Sequence, residues 1–108
     1  MVFIIGGYAS GKHEFARCNI SCSESDIFTI TDAIVSDYEK KNDVIFNIIT
    51  SHKVVIATEI GCGLVPIDET MRNHREAAGR LNQRIAAKAD CVVRLVCGIP
   101  QIIKGELG

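Results

Sequence analysis

The residues with the clearest chemical meaning stand near the start, where Gly6-Gly7-Tyr8-Ala9-Ser10-Gly11-Lys12 follows directly on the apolar run Val2-Phe3-Ile4-Ile5. Glycine, four free residues, glycine and lysine form the layout of a phosphate-binding loop at the end of a first strand. Successive backbone N–H groups cradle the phosphates, the lysine neutralises them, and a hydroxyl residue after the lysine holds Mg²⁺. Here His13 stands in that last place. The stretch from Gly6 to Lys12 still suits phosphate, but the metal ligand that phosphoryl transfer ordinarily uses is missing. The loop therefore favours nucleotide binding over catalysis, with ATP or GTP as the ligand and Mg²⁺ as a candidate companion.

Lys12 follows Gly11 at the expected start of a helix, where backbone N–H groups and the helix dipole also favour anions. His13 reads either as a phosphate donor or substitute ligand, or as a solvent-facing residue of a first helical turn. A second candidate is Glu59, at the end of the apolar run Val54 to Thr58. In open α/β sheets ligands collect beyond the C-terminal strand ends, which puts Glu59 beside the phosphate loop. There a carboxylate holds a metal through water or orients a nucleophile, or simply caps a glycine-rich turn. Arg72, Arg75, Gly79 and Asn82 fall on one helical strip, which reads as an anion contact or as a solvated basic face paired in part by Glu76 with Arg80. His52 and His74 have no visible catalytic companion and read as surface and core-edge residues.

The elements that must position these residues alternate as βαβαβαβ, which implies a mostly parallel sheet with helices on its faces. Val2 to Ile5 is the first strand, followed by a short helix from Lys12 and a serine-rich loop from Asn19 to Asp26. Ile27 to Ile30 is a short second strand. Thr31 or Asp32 then caps a helix whose apolar positions Ile34, Val35, Tyr38, Val44, Ile45 and Ile48 run to about Thr50, with a polar interruption at Lys40 to Asp43. Val54 to Thr58 is a buried parallel strand, Ile60 to Ile67 a loop. From Asp68 a long helix carries Met71, His74, Ala78, Leu81, Ile85 and Ala89 as one buried stripe. Asp90 ends it, Cys91 to Val96 is a further strand, and Gly98-Ile99-Pro100 turns the chain into a tail, Gln101 to Gly108.

Composition bounds the answer. With 108 residues and 47% hydrophobic content, the chain allows one domain, residues 1–108, with a single core. A net charge of −1 without a cluster of lysines and arginines argues against nucleic acid as a partner. No segment approaches the roughly 20 apolar residues of a membrane helix, and no basic leader precedes an apolar stretch, so the expected location is the cytoplasm. The five cysteines, Cys18, Cys22, Cys62, Cys91 and Cys97, are odd in number and lack a CxxC pair. They read as reduced structural thiols and leave no metal site.

The second half carries a resemblance. Val54-Val55-Ile56-Ala57-Thr58-Glu59-Ile60-Gly61-Cys62-Gly63-Leu64-Val65-Pro66, followed by Arg75-Glu76-Ala77-Ala78-Gly79-Arg80-Leu81-Asn82-Gln83-Arg84-Ile85-Ala86, resembles the bifunctional adenosylcobinamide kinase / adenosylcobinamide-phosphate guanylyltransferase family of cobalamin biosynthesis. That family's signatures read TNEVGxGxVP and RDxxGRxNQxxA, and its opening loop, GGxRSGKS, is similar to Gly6 to Lys12. The resemblance implies a P-loop NTPase-like three-layer α/β fold. It also implies a transferase that phosphorylates the aminopropanol hydroxyl of adenosylcobinamide from a nucleoside triphosphate, then moves GMP from GTP through a guanylylated histidine. A homotrimer with active sites near subunit boundaries is implied too. Residue by residue, Gly6, Gly7, Tyr8, Ala9, Ser10, Gly11, Lys12 and His13 would hold the nucleotide, Lys12 and Glu59 would be catalytic, and Arg80, Asn82 and Gln83 would belong to the motif helix.

The chain departs from the pattern in specific places. His13 replaces a serine, Tyr8-Ala9 stands where an alanine-arginine pair is usual, and Glu76 replaces aspartate. The strand at Ile27 to Ile30 ends in Thr29 instead of an acid suited to Mg²⁺, with Asp32 slightly later as its substitute. Only Asn19 to Asp26 fills the interval that holds the GMP-accepting histidine in the family, so guanylyl transfer is expected to be lost. Three readings follow: a minimal cobinamide kinase, a non-catalytic nucleotide- or corrinoid-binding module, or a structural remnant.

Overall fold

The computed structural model describes residues 1–7, 11–20, 23–58 and 69–106. Five strands form one sheet in the order β2-β3-β1-β4-β5. Strands β1 (Val2–Gly6), β2 (Ile27–Thr29), β3 (Val54–Thr58) and β4 (Cys91–Val96) are mutually parallel, and β5 (Ile99–Lys104) runs antiparallel to β4. Helices α1 (Lys12–Asn19), α2 (Asp32–Lys40), α3 (Asn42–Thr50) and α4 (Glu69–Lys88), with a short 3-10 turn at Glu24–Asp26 before β2, complete the order.

The strand alternation sorts side chains onto two faces. Phe3, Val55, Ala57 and Val92 join Val35, Tyr38, Phe46, Ile49, Leu81 and Ile85 in a core under α2, α3 and α4. Ile4, Val54, Ile56, Val93 and Leu95 pack on the opposite face with Ala16 of α1. The central strands are largely apolar because both faces are covered, Arg94 of β4 being the charged exception, and each fully buried Val, Leu, Ile or Phe contributes about 1.5–3 kcal/mol. The result is the expected three-layer α/β fold of P-loop type, with helices on both faces of a mostly parallel sheet.

The break expected at Lys40 to Asp43 falls at Lys41, whose φ of −138° and ψ of 68° are not helical. Thr31 caps α2 by accepting the Ile34 N–H at 3.4 Å. Because the break resets the helical phase, α3 buries Phe46 and Ile49 and leaves Val44 and Ile48, expected in the stripe, exposed. In α4 the stripe of Ala78, Leu81 and Ile85 is buried, continued by Ala89 just past its end and joined by Ala77, and His74 is half-buried at its edge. The Met71 side chain and the loop expected at Ile60 to Ile67 lie outside the described residues.

Of the tail expected from Gln101, residues Gln101 to Lys104 are instead part of β5. Cys97 (φ 51°) and Gly98 (φ 77°) make a two-residue turn, and Val96 pairs with Ile99 across it. Two positive φ values match the right-handed twist of a hairpin. Pro100 is admitted because β5 is an edge strand, and Lys104 donates from β5 to the carbonyls of Ala86 (3.1 Å) and Ala87 (2.8 Å) at the end of α4. Of the described thiols only Cys91 is buried, while Cys18 and Cys97 are exposed; for those two, the expectation of structural burial is not met.

Candidate functional site

The parallel register brings the C-terminal strand ends to one edge. Gly6 pairs with Thr58 of β3 on one side and Leu95 of β4 on the other, and the Ile30 N–H reaches the Ile56 carbonyl at 2.8 Å. The segments after β1, β2 and β3 therefore emerge side by side, as ligand sites in such sheets require. Helix α1 starts at this edge. Gly11 precedes it with φ 81°, a left-handed conformation that a side chain would strain, and its carbonyl accepts the Phe15 N–H at 2.9 Å.

Lys12 folds back over the loop, donating from Nζ to the Gly7 carbonyl at 2.8 Å. Partial burial pulls its pKa below the ordinary lysine value. A cation losing water at a helix N-terminus is well placed for an anion, which restores the lost solvation. His13, the next residue, lies across a gap from the end of β2, with Nε2 at 2.9 Å from Thr29 Oγ1.

Beside the loop, a cavity of about 390 Å³ opens between the ends of β2 and β3 and helices α2 and α4. Val35, Ala57 and Ala78 give it apolar walls, while Thr31, Asp32, Thr58 and Asn82 supply polar groups. Apolar walls with a few polar groups suit a small ligand or one arm of a larger one. The fully exposed Asp32 carboxylate stands 3.3 Å from His74 Nε2 of α4.

Gly6, Gly7, Gly11, Lys12 and His13 thus gather at the loop, and Asn82 lines the neighbouring cavity. Arg80 and Gln83 are exposed and line no described cavity. Two residues along an α-helix turn by about 200°, so Arg80 and Asn82 cannot share a face. Arg75 and Gly79, on the strip with Asn82, are half-buried, and Arg72 is exposed. Tyr8, Ala9, Ser10 and Glu59 lie outside the described residues. Sequence reading missed Thr58 and the His74–Asp32 contact. The spacing of His74, Ala78 and Asn82 at i, i+4 and i+8 carried a signal for His74. His52 has a structural role: Nδ1 lies 2.9 Å from the Ile48 carbonyl at the end of α3, and its ring packs at a 52° tilt against Phe28 with centroids 4.8 Å apart.

The geometry at Gly11 and Lys12 fits a nucleotide phosphate. At the place after Lys12, His13 offers nitrogen in contact with the Thr29 hydroxyl, whereas Mg²⁺ prefers oxygen ligands; no group of three or more His, Cys, Asp or Glu side chains gathers among the described residues.

Fold and site define a class: a doubly covered, mostly parallel α/β domain of the P-loop type, with a glycine-lysine loop between the first strand and helix. A family model described as cobinamide kinase / cobinamide phosphate guanyltransferase matches residues 39–103, and the chain belongs to this family. It is 51% identical over 53 residues to the bifunctional adenosylcobalamin biosynthesis protein CobU of Salmonella typhimurium, covering 48% of this chain and 29% of that protein. It is 47% identical over 53 residues to CobU of Escherichia coli (48% and 29%), and 38% identical over 53 residues to CobP of Pseudomonas aeruginosa (49% and 31%). Each match spans less than a third of the relative's own length. Among the described residues no helix is long and apolar enough to cross a membrane.

Proposed function

We propose that this chain is a cobinamide kinase-like nucleotide-binding protein of cobalamin biosynthesis. Gly6 to Lys12 hold the phosphates of ATP or GTP, and the adjoining cavity takes the hydroxyl-bearing arm of adenosylcobinamide. The observation that supports this most is the shared residue between the two sites: Thr58 pairs with Gly6 across the β1–β3 ladder and also lines the cavity.

In the transfer, the acceptor hydroxyl oxygen bonds to the γ-phosphorus as the β–γ bridging P–O bond breaks. The nucleoside diphosphate leaves with its charge met by Lys12. The hydroxyl proton passes to a carboxylate, either Asp32 at the cavity or Glu59, which follows Thr58 in the chain. Arg80 and Gln83, exposed on α4, face a partner subunit of a homo-oligomer, a trimer by family resemblance. Guanylyl transfer is absent, because residues 20–26 alone join α1 to β2. Product formation from labelled ATP or GTP with adenosylcobinamide tests the reading; no product with wild-type protein removes the kinase activity.

The His13–Thr29 contact favours a second reading, a non-catalytic nucleotide-binding module, since a nitrogen ligand stands where the metal-binding hydroxyl belongs. Nucleotide binding without any product supports this second reading over the first.

A further inference from the structure

We infer that the cavity at the ends of β2 and β3 admits a free alcohol and turns away its phosphate ester, with Asp32 as the residue that sets the preference. The inference rests on the reading that this cavity takes a hydroxyl-bearing arm, and it specifies the chemical state of that arm: the alcohol is held and the phosphorylated product is released.

The charge on the cavity wall has one sign. Among the described lining residues Thr31, Thr58 and Asn82 are neutral polar groups, Asp32 is the single ionisable one, and the rest are apolar. The residues outside the described set cannot reverse that sign, since they contain no lysine, arginine or histidine, and their charged members, Glu59 and Asp68, are acids. Lys12 belongs to the loop, where the Gly7 carbonyl engages it at 2.8 Å, and neither Lys12 nor Arg75 of α4 lines the cavity.

Helix α2 by itself would favour the opposite outcome, because its N-terminus opens on the cavity and the positive end of a helix draws anions. In this chain that end is already met. Thr31 accepts the Ile34 N–H at 3.4 Å, and Asp32 carries its carboxylate in the first turn. A phosphate brought to the same end would share it with a like charge, which is costly at a binding surface.

The carboxylate is placed instead as an acceptor for a neutral donor. His74 of α4 meets one of its oxygens, Nε2 lying 3.3 Å from Oδ1, and the Asp32 side chain is otherwise fully exposed. An alcohol O–H donates to the second oxygen in a charge-assisted bond, while its carbon chain lies against Val35, Ala57 and Ala78. Esterification removes that proton and adds roughly 1.5 to 2 negative charges. The ester then offers the carboxylate no donor and is repelled by it, an effect of about tenfold for charges some 4 Å apart in solvent-facing surroundings.

Calorimetric titration of the whole chain with adenosylcobinamide and with its phosphate ester, at about pH 8 where the ester is a dianion, tests this. Wild-type protein is expected to bind the alcohol at least about tenfold tighter than the ester, and Asp32→Asn to reduce that preference to about threefold or less. Added salt is expected to shrink the wild-type preference, as screening of a surface charge requires. A wild-type preference below about tenfold overturns the inference and leaves the arm-binding reading standing. A preference that survives in Asp32→Asn overturns the assignment to Asp32, and one indifferent to salt overturns its electrostatic origin. No binding of either ligand removes both the inference and the reading beneath it. Binding with the expected preference but without phosphoryl transfer removes the kinase activity alone and supports the inference. Thermal melting confirms that the variant folds; should it not, Asp32→Ser replaces it with the same outcomes.

Discussion

Gly6 and Thr58 face each other across the β1–β3 ladder, so the last residue of the first strand, which opens the phosphate loop, and a wall of the 390 Å³ cavity are held one strand spacing apart. Backbone hydrogen bonds of buried strands set that separation, and they do not yield to side-chain motion. A phosphate donor at the loop and an acceptor in the cavity would therefore meet at a rigid distance.

Lys12→Ala is expected to weaken ATP and GTP binding by about 1.5–3 kcal/mol, the range for a hydrogen bond to a charged group. Burial holds the Lys12 pKa below the ordinary lysine value, and a bound phosphate raises it again. Binding therefore takes up protons in the alkaline window between those two values, and affinity falls as pH rises through the free-protein pKa. For folding the sign follows from the same shift. The native chain binds fewer protons than the unfolded one across this window, so the Lys12 contribution to stability improves as pH rises through it. Titrations in buffers of differing ionisation enthalpy read the uptake; its absence at alkaline pH counts against a phosphate at Lys12.

Gly79 lies inside α4, and a Cβ built there meets no described atom within 4 Å. Glycine within a helix is about 0.5–1 kcal/mol less favourable than alanine. Gly79→Ala is expected to raise the melting temperature by roughly 4 °C. A simultaneous loss of nucleotide or corrinoid affinity would identify the bare backbone as an approach surface; unchanged affinity would assign no ligand to it.

The Cys97–Gly98 turn carries two positive φ values, one of them on a residue with a Cβ. Asparagine tolerates that conformation better, so Cys97→Asn is expected to stabilise the chain by about 0.5 kcal/mol, whereas Gly98→Ala should destabilise it by about 1 kcal/mol. Urea midpoints that move in neither direction would mean that the β4–β5 hairpin does not contribute to the folded state.

Asp26 accepts the Ser23 N–H at 2.9 Å and the Ser23 hydroxyl at 3.1 Å, which hold its carboxyl below the usual range. A depressed carboxylate stabilises the fold above its unfolded pKa and loses that contribution as pH falls through the lower folded value. Asp26→Asn is expected to flatten the stability profile on the acid side, below about pH 4, and to leave its slope near neutrality unchanged. An acid limb identical to wild type would show that the turn before β2 is open in solution.

Much of the frame was legible in the sequence because period and punctuation are local. Val54 to Thr58 and Cys91 to Val96 stand in the structure with the boundaries read from their apolar runs, and the interruption at Lys40 to Asp43 is a real break. The phase of α3 was not legible. One non-helical residue, Lys41, rotates everything after it, and periodicity read across the break assigned Val44 and Ile48 to the core in place of Phe46 and Ile49. Strand β5 was hidden because Pro100 reads as a stop unless the strand is known to lie at an edge.

The sequence by itself determined the glycine-lysine spacing after the first strand, the alternation of strands and helices, and the family, since each is written in residues close together along the chain. Tertiary structure alone decided which distant groups meet. His13 finds Thr29 sixteen residues on, His74 finds Asp32 forty-two residues back, and Asn82 joins the cavity while Arg80 does not. Those outcomes depend on strand order and helix phase, which are set by burying both faces of one sheet at once, a condition that no local pattern states.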